Sequence, residues 1–139
     1  MEANVIWKNK LSFTTTGTNG MSIPLSAEQA SGDNTEGIEP MELVAIALAG
    51  CTGMDVISLL QKKRQEVTAL VVQVHAERAT DYPKTFTNVT VEYLVEGHNI
   101  ELAAVERSIE LSATKYCPVQ AMLSKACKIE HKYSIKNLP

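Results

Sequence analysis

The cysteines are the chain's candidates for nucleophilic chemistry, and their three settings differ. Cys51 lies within Leu48-Ala49-Gly50-Cys51-Thr52-Gly53-Met54-Asp55, in the middle of a helical segment. Gly50 and Gly53 each cost a helix roughly 1 kcal/mol relative to alanine. In return they leave open space beside the sulfur, for a small ligand or a second helix. An inert packing role fits the same segment, since free cysteine is among the most buried residue types. Cys117 precedes Pro118 and takes the cap position of a following helix. There the helix dipole and free N–H groups lower a thiol pKa, and Lys115 adds positive charge. A structural cap at a kink is the alternative. Cys127 falls near the end of that helix, where the dipole disfavours a thiolate, and is read as core packing. Zinc held by Cys117, Cys127 and His131 matches no structural zinc spacing, so no metal is expected. His75 on a strand's polar face and His98 in a turn receive no role. Asn88-Val89-Thr90 has the glycosylation pattern, which means nothing without export.

The elements that must position these thiols follow from periodicity. Pro40 opens a helix as a first-position proline, with Glu39 and Glu42 at its positive end and Lys62, Lys63 and Arg64 at its negative end. Leu43, Val44, Ile46, Ala47, Leu48 and Ala49 leave that helix no polar face in its first half, so burial on all sides is expected. One small chain struggles to surround such a helix, which points to an oligomer. From Asp55 the helix turns amphipathic and ends around Gln65. Before it, Val5, Trp7, Leu11 and Phe13 mark short strands, Gly17-Thr18-Asn19-Gly20 a turn, and Met21-Ser22-Ile23 another strand. The polar run from Ser26 to Gly37 is read as a mobile loop. After the helix, Leu70, Val72, Val74 and Ala76 alternate with polar residues, as do Val89, Val91, Tyr93 and Val95. These are two strands of a hairpin, turning at Asp81-Tyr82-Pro83-Lys84. Asn99 is the expected cap of a helix with the stripe Leu102, Val105, Ile109 and Tyr116. Pro118 starts a short helix with Val119, Met122, Leu123 and Ala126 on its apolar side. Ile129, His131, Tyr133 and Ile135 form a closing strand. The order defines an α+β protein.

Composition bounds the function. The chain has 139 residues, 45% hydrophobic and 21% charged, as in an ordinary globular protein and unlike a disordered one. This length favours one domain over residues 1–139. A net charge of -3 offers no basic field to nucleic acid or an anionic membrane. The longest apolar run, Leu43 to Ala49, is far short of a membrane span. No secretory signal is visible in Met1-Glu2-Ala3-Asn4-Val5. An odd number of cysteines makes no disulfide framework, and a reducing cytoplasm is the expected location.

Taken together, Glu39-Pro40-Met41-Glu42-Leu43, Gly50-Cys51-Thr52, Tyr82-Pro83-Lys84-Thr85-Phe86 and Tyr116-Cys117-Pro118-Val119 resemble the OsmC/Ohr family in order and spacing. The resemblance covers nearly the whole chain, least distinctly before residue 36. It implies two long central helices wrapped by β-sheets in an interlocked homodimer, with two sites near the interface. The best-known members are thiol peroxidases. Carried over, Cys51 would be the peroxidatic thiol and Cys117 the resolving thiol that closes a disulfide with it. A dithiol reductant would reopen that disulfide, and no cofactor is required. Met41, Glu42, Met54, Asp55 and Met122 would meet the substrate.

The chain departs from the peroxidatic pattern in one respect. In those members a carboxylate directly follows the proline and holds an arginine against the thiolate. Here Met41 follows Pro40, and Glu42 is turned by roughly 100° around the helix. No arginine precedes Arg64, which lies roughly 20 Å along the axis from Cys51. Asp55, one turn after Cys51, would raise rather than lower a thiol pKa. Three readings stay open: a thiol-dependent organic hydroperoxide reductase, a dimeric binding protein for an apolar small molecule with redox-sensitive cysteines, and a dimeric stress protein without a ligand.

Overall fold

The computed structural model describes residues 1–27 and 36–139, so most of the loop expected from Ser26 to Gly37 lies outside the described residues. The chain divides into two compact units, Met1–Val44 and Ala45–Pro139. The first holds an antiparallel sheet of β1 (Ile6–Asn9), β2 (Ser12–Thr16) and β3 (Ser22–Ser26), in that order. Its β2–β3 turn is the expected glycine turn, closed by Gly17 N–H on the Met21 carbonyl, with Gly20 at φ 83°. That φ is open to glycine at little cost.

α1 (Pro40–Lys62) starts at the expected proline and ends before Gln65. It is long and apolar enough to cross a membrane, with a mean hydropathy of 2.0 over its best window. The continuous apolar run understated this, because Thr52 and the glycines interrupt the run without making the helix polar. The expectation of all-round burial does not hold for the single chain. Leu48, Thr52, Val56 and Leu60 form a buried i, i+4 stripe. Ile46 and Met54 remain 46% and 74% exposed.

In the second unit, β4 (Glu66–Arg78), β5 (Phe86–His98) and β6 (Lys128–Asn137) form a sheet in the order β4-β5-β6. β4 and β5 are the expected antiparallel hairpin, and β6 runs parallel to β5. The central position of β5 explains its burial. Val89, Val91, Tyr93 and Val95, alternate residues on one face, are all at most 2% exposed. Gly97 is required where β5 meets the start of β4, because a Cβ there would collide with the Glu66 carbonyl.

α2 (Leu102–Leu111) follows, capped by Glu101 rather than by Asn99. Asn99 instead makes the preceding bend at φ 51°, a left-handed conformation that asparagine tolerates. α2 buries Ala104, Val105, Ser108 and Ile109. Leu102 and Tyr116, expected on its stripe, are 55% and 47% exposed. The helix continues as a π-helical turn, Ser112–Tyr116, before α3 (Pro118–Leu123). Of α3 only Gln120 is buried, and Met122, expected on its apolar side, is 64% exposed. The architecture is mixed α+β with two sheets and three α-helices among the described residues.

Candidate functional site

Cys51 and Asp55 stand one turn apart on α1 and therefore share a face. Cys117 reaches the same place from the junction of the π-helical turn and α3. The two Sγ atoms and an Asp55 carboxylate oxygen all lie within 4.8 Å of one another. All three cysteines are free thiols. Cys51 and Asp55 are half-buried, whereas Cys117 is only 3% exposed.

The π-helical turn sets this geometry. Its i→i+5 bond runs from the Cys117 N–H to the Ser112 carbonyl at 2.9 Å, and such turns recur at functional sites. Pro118 then ends the turn and starts α3. The Cys117 sulfur accepts the Gln120 N–H at 3.3 Å, so it is the helix cap that the sequence predicts.

The cap does not lower the thiol pKa as expected. Burial, followed by the hydrogen bond with Cys51, pushes Cys117 up from 9.0 to about 11. The Gln120 N–H opposes this but is weaker, because a six-residue helix offers little dipole and the sulfur has lost its water. Cys127 also shifts upward through burial, and its Sγ lies 3.4 Å from the Leu123 carbonyl.

Behind the thiols runs a chain of buried polar groups. Ser112 Oγ donates to Asp55 Oδ2 at 2.9 Å. Thr52 Oγ1 is 2.9 Å from Ser112 Oγ and 2.7 Å from the Tyr93 hydroxyl, which is 3.0 Å from His131 Nδ1. Each hydroxyl has one proton to give. Since Ser112 gives its proton to Asp55, Thr52 must donate to Ser112 and Tyr93 to Thr52. The His131 Nδ1–H then donates to Tyr93, leaving a lone pair on Nε2. That atom is buried without a partner. Burial lowers the His131 pKa, favouring the neutral ring this arrangement needs. Burial raises the Tyr93 pKa to about 12, keeping it a donor.

Met54 and Met122 are not among the groups that converge within 4.8 Å. Met54 lines a groove of about 450 Å³ with Gly50, Gly53, Ile57 and residues of β4, among them Val72. Neither Cys51 nor Cys117 lines it. Asp55 opens instead into a cavity of about 130 Å³ with Ser58, Leu59, Lys62 and Tyr116. Met122 is exposed on α3. Met41, half-buried, and Glu42, exposed, are in the first turn of α1 and belong to the unit Met1–Val44.

Sequence reading missed Ser112 and the roles of Thr52, Tyr93 and His131. Ser112 stands 57 positions from Asp55 and 60 from Thr52, a separation no local pattern bridges. The available signal was Ser108 and Ser112 one turn apart on an apolar helix face, where a serine needs a partner.

An α+β fold of two sheets, with two thiols meeting beside a helical carboxylate, defines the class. The model of the OsmC-like proteins matches residues 32–132, and the chain belongs to that family. Protein YhfA of Escherichia coli K12 is 39% identical over 97% of this chain and 98% of its own length. A hypothetical protein from Aquifex aeolicus VF5 superposes with a TM-score of 0.88 at 26% identity, covering 99% of this chain and 97% of that one. An organic hydroperoxide resistance protein from Elizabethkingia anophelis shares the fold, with a TM-score of 0.71 at 12% identity over 98% and 97% of the two chains.

Proposed function

We propose that this protein is a thiol-dependent peroxidase that reduces organic hydroperoxides. The observation that carries this reading is the convergence of Cys51 and Cys117 within 4.8 Å as free thiols. Their unequal burial divides the work. Cys51 is the more accessible and attacks the O–O bond as the thiolate, forming a sulfenic acid and releasing an alkoxide that takes up a proton. Cys117, kept protonated by burial, then condenses with the sulfenic acid, forming the disulfide and releasing water. A dithiol reductant restores both thiols by exchange. Asp55 stands beside the reacting sulfur.

The working form in this reading is a homodimer in the cytoplasm. A second copy covers the exposed apolar side of α1, including Ile46, Ala47 and Met54. The relative named for organic hydroperoxide resistance shares the fold and makes the same substrate class the first to test.

A second reading has its own support. No lysine or arginine forms an ion pair with Asp55 among the described residues, so no such pair holds a cation beside the thiols. The groove between α1 and β4 would then hold an apolar small molecule without turnover. Consumption of cumene hydroperoxide with a dithiol reductant decides between them. The peroxidase reading expects turnover that Cys51→Ser abolishes; a single background rate for native protein, Cys51→Ser and Cys117→Ser refutes it.

A further inference from the structure

Two thiols and a carboxylate share one partly buried site. Asp55 accepts a hydrogen bond from Ser112 and takes part in no ion pair among the described residues. Ionising both thiols there would assemble three negative groups within 4.8 Å. A divalent cation neutralises such a set far better than a lysine could, because it bonds to all three at once.

We propose that Cys51, Asp55 and Cys117 form a binding site for one Zn²⁺ ion, with two sulfurs and one carboxylate oxygen as ligands and water in the fourth position. Tetrahedral zinc, with bonds of about 2.3 Å to sulfur and about 2.0 Å to oxygen, places its ligands roughly 3.5–3.8 Å apart. The observed cluster, within 4.8 Å, reaches this by small side-chain rotations. Two ligands come from positions i and i+4 of one helix, which hold them on one face. The third comes from a separate element fixed by the Ser112–Cys117 backbone bond.

The surroundings suit a metal in three further ways. Ser112 Oγ orients Asp55 through Oδ2, as an outer-shell partner does, and Oδ1 takes no hydrogen bond among the described residues. Asp55 also lines the cavity of about 130 Å³, so its carboxylate is not sealed in the core. Thiolate ligands select zinc over magnesium and calcium. The zinc-bound form and a Cys51–Cys117 disulfide exclude each other, since both use the same sulfurs.

The test is equilibrium dialysis of the reduced full-length chain against Zn²⁺, with metal analysis, and a parallel titration with Co²⁺ followed by absorbance. Native protein should hold one Zn²⁺ per chain. Its Co²⁺ form should show thiolate-to-metal charge transfer and ligand-field bands of tetrahedral intensity. Cys51→Ser and Cys117→Ser should each lose stoichiometric binding, Asp55→Asn should weaken it by more than about tenfold, and Cys127→Ser should bind as native. Weak, non-stoichiometric binding by native protein overturns the proposal. So does undiminished affinity in Asp55→Asn, or loss of binding in Cys127→Ser. If a serine variant does not fold, the native Co²⁺ spectrum decides alone, and absence of the charge-transfer band is the overturning result. No peroxide is present, so the outcome is independent of whether the protein turns peroxide over.

Discussion

The Thr52 hydroxyl lies 2.7 Å from the Tyr93 hydroxyl, tying the residue after Cys51 to the middle of the central strand. The thiol-bearing helix is therefore held to the sheet by a polar bond inside an apolar core, next to Leu48 and Val56 on the same stripe. Thr52→Val keeps the shape and removes the hydroxyl. Tyr93 and Ser112 then each lose a partner in a site where water does not replace it. The expected cost is on the order of 3 kcal/mol, against about 1 kcal/mol for Thr52→Ser, which keeps the hydroxyl. Urea unfolding measures both, and a valine variant as stable as native would show that the chain of hydroxyls does not hold the helix.

Thiol reactivity should follow burial rather than the helix cap. Cys51 is half-exposed, while Cys117 is 3% exposed and pushed up to about 11. Iodoacetamide at neutral pH should modify Cys51 well before Cys117, with Cys117 gaining reactivity as the pH rises toward that value. Peptide mass mapping over time reads the order, and faster modification of Cys117 would restore the cap as the dominant influence.

Stability should fall on both sides of neutral pH. Cys117 rises from 9.0 to about 11 and Tyr93 from 10.0 to about 12 in the folded state. Raised pKa values give stability that is complete below the unfolded values and is lost as pH climbs through the folded ones. His131 is lowered from 6.5, so its contribution is complete above that value and is lost as pH falls below it. Thermal melts across pH should show a plateau between about pH 7 and 9. Cys117→Ser should flatten the loss between 9.0 and about 11, leaving the later loss due to Tyr93. An unchanged alkaline profile in that variant would contradict the assignment.

The exposed side of α1 tests the dimer. Ala47 is exposed in the single chain, so Ala47→Asp leaves the fold of one copy intact. If a second copy covers it, an unpaired buried charge costs several kcal/mol. Sedimentation of native protein at micromolar concentration should give about twice 15.2 kDa, and Ala47→Asp should shift this toward one chain. A native monomer, or a variant dimer of native affinity, would count against the shared interface.

The legible parts of the molecule were those written in one local period. β5 shows alternate apolar residues because a central strand buries one whole face, and Val89, Val91, Tyr93 and Val95 report it directly. Pro40 marked the start of α1 because its missing N–H is harmless there. Which side of α1 would be buried was not legible, since both sides are apolar and only the i, i+4 stripe of Leu48, Thr52, Val56 and Leu60 is chosen by the fold. Asn99 misled because asparagine suits a helix cap and a left-handed bend equally well. In the site, Cys51 and Cys117 were visible from their neighbours. The pKa of Cys117 was not, because desolvation depends on what packs over the sulfur. The path from Asp55 through Ser112, Thr52 and Tyr93 to His131 joins four elements, and no spacing along the chain announces it.

The most direct test of the account is the bond between the two sulfurs. Reduced protein treated with one equivalent of cumene hydroperoxide, then trapped and digested without reductant, should yield a Cys51–Cys117 disulfide peptide. Cys51→Ser should consume no peroxide, and Cys117→Ser should stop at an oxidised Cys51. Recovery of both cysteines as unmodified thiols from native protein, with the peroxide undiminished, would contradict the peroxidase reading.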